Sequence, residues 1–214
     1  MLLARSTHGE SHLDPLPTAA AATALAAGLA QATAQLVDFW AFDLRYPELN
    51  GNDSANAFGW LSVAMMVVAL AAFAAAGLAQ RSRGLSWALV PIFAFLVVDN
   101  RADLHERVAH GKLLFLPLLI VLFLLVWHVS IRSSPRSRRL LRLGLASLVV
   151  SFTIHLTGPT ILSAAGWYSD AAWQDQVKVA VKEATEVAGW ILLAFGAVAR
   201  LQPGEPRLAD GQAA

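Results

Sequence analysis

No cysteine occurs in the 214 residues, which excludes disulfides, thiolate nucleophiles, iron–sulfur clusters and cysteine-type zinc sites. Charge is scarce as well: Asp, Glu, Lys and Arg make up 14% of the chain, against about 25% in an ordinary soluble domain. A formal net charge of +1 provides no field that would gather a nucleic acid, so no nucleic-acid partner is expected. Neither His-Glu-x-x-His nor Gly-x-Ser-x-Gly is present, which removes the two commonest local signatures of metal and serine hydrolases. No repeat of roughly 20 to 50 residues is visible.

What fills the chain instead is apolar sequence, 57% of all residues, gathered into runs long enough to cross a bilayer at about 20 residues each. Six spans are predicted, over 18–38, 58–80, 86–109, 113–131, 143–164 and 177–199. The fold class is therefore all-α, a polytopic transmembrane helical bundle, with an amino-terminal arm over 1–17 and a disordered tail over 201–214. The first run is rich in Ala and competes with a cleavable signal peptide. Glu10 and Asp14 ahead of it, with Arg5 as the one basic residue, favour a retained helix.

Basic residues set the orientation. Arg132, Arg136, Arg138, Arg139 and Arg142 crowd the connection between the fourth and fifth spans, and such short arginine-rich loops stay on the cytoplasmic side. Both termini then face the cytoplasm, in a bacterial inner membrane, and membrane lipids are the expected partners. Trp167, Tyr168 and Trp173 suit the opposite interface.

Ionisable groups inside spans are costly and mark function by default. Counting 1.5 Å per residue from the inner face puts Asp99 and Glu183 each about 20 Å up, with His155 at about 18 Å. Asp99, Asp103, Glu106 and His110 recur on one stripe of the third span, Ser147, Ser151 and His155 on one stripe of the fifth, and Gly28, Gln31, Gln35 and Asp38 on one stripe of the first. Glu183 and Glu186 follow Lys182 on the sixth. A polar pocket among the first, third, fifth and sixth spans is expected.

Carboxylates with imidazoles form a hard site suited to a divalent metal. The candidate ligands are Asp99, His105, Glu106, His110, Glu183 and Glu186, and the candidate acid/base groups are Asp99, Asp103, Glu106, Glu183, Glu186 and His155. The spacing departs from the Glu plus Glu-x-x-His pattern of di-iron bundles. The reading is a membrane enzyme acting on a lipidic or periplasm-facing substrate. Two others compete with it: a proton- or cation-linked transporter, and a structural subunit in which Arg101, Arg107, Lys178 and Lys182 neutralise the acids.

The stretch Asp99-Asn100-x-x-x-Leu104-His105-Glu106, with Lys182-Glu183-x-x-Glu186 about eighty residues later, resembles a class of uncharacterised bacterial multispan membrane proteins. Those proteins carry an acidic pair, a Leu-His-Glu and a later Glu-x-x-Glu. The resemblance covers the middle and last spans and favours His105 as a ligand, where helical facing favours His110. Asn100 stands where the class has a second acid. The class implies no activity.

Overall fold

A computed structural model of the chain describes residues 15–51, 53, 56–79, 83–102, 104, 111–166 and 173–202. Within them lie six helices and no strand: α1 (Pro15–Phe42), α2 (Ala57–Leu78), α3 (Arg83–Ala102), α4 (Gly111–Ile131), α5 (Pro135–Ala164) and α6 (Trp173–Ala199). Each coincides with one predicted span, but several are longer. At 1.5 Å per residue α1 reaches about 42 Å and α5 about 45 Å, beyond the thickness of a hydrocarbon core at about 30 Å.

Local chemistry explains the extensions. Hydropathy begins the fifth span at 143, yet α5 starts eight residues earlier because Ser134 accepts the Ser137 N–H as N-cap and Pro135 occupies the first turn. Asn56 caps α2 in the same way, accepting the Gly59 N–H at 2.5 Å. Four helices, α1, α2, α3 and α5, are long and apolar enough to cross a membrane. Described side chains of α4 form a shorter apolar stretch, Leu116–Ile131. In α6, Asp175, Lys178, Lys182, Glu183 and Glu186 interrupt the first half.

α6 is the hub, packed on α5, α1 and α2, while α3 lies on α2 and α4, and α4 on α5 and α3. Glycines allow the α5–α6 approach: a Cβ on Gly144 would lie 2.9 Å from Leu193 N and 3.0 Å from Gly189 O. Ser137 Oγ donates to Gly196 O at 2.8 Å, and Ser147 Oγ to Thr185 O at 2.7 Å. Small residues and hydroxyl-to-carbonyl bonds are how helices hold together when no water is present to drive them together. The larger apolar core joins α2 to α6 around Phe73, Phe93 and Trp190; the Phe93 and Trp190 rings meet edge to face at 6.0 Å.

The distribution of polarity on α1 is inverted relative to a helix in water. Gln31, Gln35 and Asp38 are 0% exposed, whereas Leu25, Leu29 and Trp40 on its outer side are 64%, 60% and 68% exposed. Large apolar side chains facing out, with amides and a carboxylate facing in, is the arrangement a lipid solvent favours.

Arginines of the α4–α5 connection have a local task. Arg138 donates to the carbonyls of Ser130, Ile131 and Ser133, and Arg142 donates to Ser130 Oγ while its guanidinium lies 4.5 Å from the Trp127 ring centre. The last carbonyls of a helix lack intrahelical partners, and Arg138 donates to two of those in α4, on Ser130 and Ile131.

Candidate functional site: the α1–α6 seam

Polar residues on α1 fall at 31, 35 and 38, a spacing that holds them on one face, and that face meets α6. Gln35 Nε2 donates to Gln176 Oε1 at 2.7 Å, tying the two helices together. Toward the other end of the seam Gly28 lies against the Ala184 carbonyl, where a Cβ would sit at 3.0 Å.

The segment after α1 folds back over this seam. Asp43 and Leu44 both adopt left-handed φ values, 58° and 56°, a costly conformation outside Gly, Asn and Asp. The reversal brings Leu44 N–H to Asp38 O at 3.0 Å and Tyr46 N–H to Asp38 Oδ1 at 3.1 Å. Gly51 then enters between the helices, its N–H donating to Gln35 Oε1 at 2.5 Å. A Cβ there would meet Glu183 Cγ at 2.6 Å, Gln31 Nε2 at 2.9 Å and Gln35 Oε1 at 3.2 Å, so only glycine fits. Asn56 Nδ2 donates to the Asp53 carbonyl at 2.6 Å, holding the segment to the start of α2.

Two side chains in the seam are incompletely satisfied. Gln31 makes no hydrogen bond through either Nε2 or Oε1, and Asp38 makes none through Oδ2. Buried polar groups without partners cost about 1–3 kcal/mol each, so their retention calls for a reason. On α6 the charges pair along the helix: Lys178 with Asp175 at 2.6 Å, Lys182 with Glu183 at 2.5 Å and with Glu186 at 3.7 Å.

Among the sequence candidates, Glu183 and Glu186 are thus brought to one ammonium group, and Glu183 also touches Gly51. His155 is half-buried on α5, its ring stacked on Phe152 with centroids 6.4 Å apart. Asp99 is buried near the end of α3, 8% exposed, with Arg101 close by in sequence and its guanidinium 4.1 Å from the Trp60 ring centre. Asp103, His105, Glu106 and His110 lie outside the described residues, as does Arg107. Among the described residues no three His, Asp or Glu side chains are grouped so as to hold a metal ion.

The polar stripe of α1 was legible as a stripe, but its partners were not. Gln176 sits beside charged Asp175 and Lys178 and stands out from neither, and Gly51 lies in an Asn-Gly-Asn stretch that signals only a turn.

The fold and the seam define a class: an all-helical bundle, rich in apolar surface, with a polar interhelical seam capped by a folded-back connection. The chain belongs to the family described as a domain of unknown function, DUF8692, which matches residues 17–201. No curated protein and no solved structure matches it.

Proposed function

We propose that this protein lies in a membrane and is a proton- or cation-linked transporter that takes a small solute into the α1–α6 seam. One observation carries the reading: Gln31 is fully enclosed between two helices, with both ends of its amide unpaired, in a bundle whose exterior is apolar. Structural amides in such places pair with each other or with backbone, as Gln35 and Gln176 do; a group left unpaired is set aside for something that arrives. Asp38 adds a second incompletely satisfied side chain on the same helix face, and the reading keeps both termini on the cytoplasmic side of the inner membrane. Reconstitution into liposomes with an imposed pH or cation gradient tests it: flux that requires Gln31 and Asp38 supports the reading, and tight liposomes contradict it.

The second reading is a divalent-metal membrane enzyme with a lipidic or periplasm-facing substrate. It would use Asp99, Asp103, His105, Glu106, His110, His155, Glu183 and Glu186. The burial of Asp99 favours it, and the engagement of Glu183 and Glu186 with Lys182 weighs against it. Stoichiometric metal in the purified protein, lost in Asp99→Ala, would choose this reading over the first. A structural subunit predicts neither flux nor metal, and only a loss of thermal stability on substitution.

A further inference from the structure

We propose that the α4–α5 end of the bundle is a docking site for an anionic phospholipid of the surrounding bilayer, its phosphate held by Arg138 and Arg142 and its acyl chains lying along α4 and α5. The proposal goes beyond the transport reading and rests only on the membrane placement that reading includes. Two guanidinium groups converge on one residue there: Arg138 Nε lies 3.3 Å from the Ser130 carbonyl oxygen, and Arg142 Nε lies 3.3 Å from the Ser130 hydroxyl. They stand one turn apart on α5, so a single face presents both. Arg132, two residues after Ser130, and Arg139, next to Arg138, are exposed.

No carboxylate balances these cations. Asp and Glu are absent from the sequence between Glu106 and Asp170, and none of Arg132, Arg138, Arg139 and Arg142 forms an ion pair with a described residue. Like charges held side by side repel, and an anion seated between them removes the repulsion. Arg138 uses Nε and Nη2 on carbonyls at the end of α4, and Arg142 uses Nε on Ser130. Nη1 of the first and both Nη atoms of the second are left to donate to phosphate oxygens, for which the guanidinium fork is well shaped.

The neighbouring surface selects a lipid over a soluble anion. The Trp127 ring is 47% exposed and its centre lies 4.5 Å from the Arg142 guanidinium, the placement an indole takes at the level of lipid headgroups. Away from the arginines the exposed side chains turn apolar on both helices, Ile120 and Leu124 on the Trp127 stripe of α4, Leu143 and Val150 on α5. Acyl chains cover such a surface, whereas free phosphate would engage the cations and leave it bare. A zwitterionic phospholipid brings the same phosphate but carries its own ammonium group into the cluster, so net headgroup charge decides between the two.

Native mass spectrometry of the full chain in detergent, with dioleoyl phosphatidylglycerol, dioleoyl phosphatidylcholine or inorganic phosphate added, tests the proposal. The expected result is a first phosphatidylglycerol bound at least about tenfold more tightly than phosphatidylcholine, because each basic side chain beside an anionic headgroup contributes about fivefold. Arg142→Gln should lower that ratio about fivefold. Arg132→Gln/Arg139→Gln should lower it comparably at exposed positions, and this pair decides if Arg142→Gln fails to fold. Arg45→Gln, at an exposed position just after α1, changes net charge by the same step as Arg142→Gln and should keep the wild-type ratio. Equal binding of the two lipids, an equal loss in Arg45→Gln, or displacement of phosphatidylglycerol by inorganic phosphate at matched ionic strength overturns the proposal. A preference that emerges only in Glu205→Gln/Asp210→Asn would make the chain's own acidic tail the occupant and overturns it too. A chain that stays soluble without detergent contradicts the membrane placement itself, whereas a chain that needs detergent but shows no lipid preference removes this site alone.

Discussion

Gln35 and Gln176 face each other across the α1–α6 seam, the amide nitrogen of the first 2.7 Å from the amide oxygen of the second. Both are buried, at 0% and 1% exposure, and the same Gln35 also receives the Gly51 N–H through its oxygen. One side chain thus joins two helices and the connection that covers them. Replacing Gln35 with Leu leaves Gln176 Oε1 without this donor and the Gly51 N–H without its acceptor. A loss of about 1–3 kcal/mol is expected, read as a lowered unfolding midpoint in detergent. In a double-mutant cycle with Gln176→Leu the coupling should be about 0.5–2 kcal/mol, the range of interhelical hydrogen bonds in membranes; strict additivity would contradict the contact.

Glycine positions separate close packing from open space. Gly144→Ala places a Cβ against the Leu193 N and the Gly189 carbonyl, both backbone atoms that cannot move aside. It should cost about 1–3 kcal/mol as overpacking. Gly84→Ala meets nothing within 4 Å and lies in the first turn of α3, so its melting temperature should stay the same or rise slightly. Thermal unfolding of the two variants side by side checks the contrast.

Six helices could be read from the sequence because each apolar run is long and bounded by charge or proline, and the α1 stripe because its polar residues keep helical spacing. The site was only half legible. Lys182–Glu186 has the spacing of a helical pair, and the structure has it, but the shorter contact runs from Lys182 to its neighbour Glu183, which helical spacing does not anticipate. The insertion of Gly51 depends on the left-handed turn at Asp43 and Leu44, residues with no glycine to announce it. The metal reading drew on Asp103, His105, Glu106 and His110, which lie outside the described residues.

Arg138 should matter for α4 more than for the bundle. Arg138→Ala removes donors to two carbonyls at the end of α4 and to that of Ser133 just beyond it. Amide exchange in residues 128–134 should accelerate, while exchange in α6 stays the same. Arg138→Lys should restore little of the protection, because an ammonium lacks the planar fork that spans several acceptors. Uniform acceleration across all helices would instead place this residue in the global core.

The membrane orientation has its own check. Alkaline phosphatase fused after Asp53 should be active and fused after Arg139 silent, if the α4–α5 connection follows the rule that short arginine-rich loops stay on the cytoplasmic side. The reverse pattern would invert the orientation and put the seam's covered end toward the cytoplasm.

Gradient-driven flux into liposomes carrying the purified protein tests the central claim most directly, compared among wild type, Gln31→Leu and Asp38→Asn after circular dichroism has shown all three to be helical. The account predicts flux in the wild type and its loss in both variants. Equal flux in all three, or none in the wild type, would contradict it and leave Gln31 and Asp38 as buried groups with no assigned role.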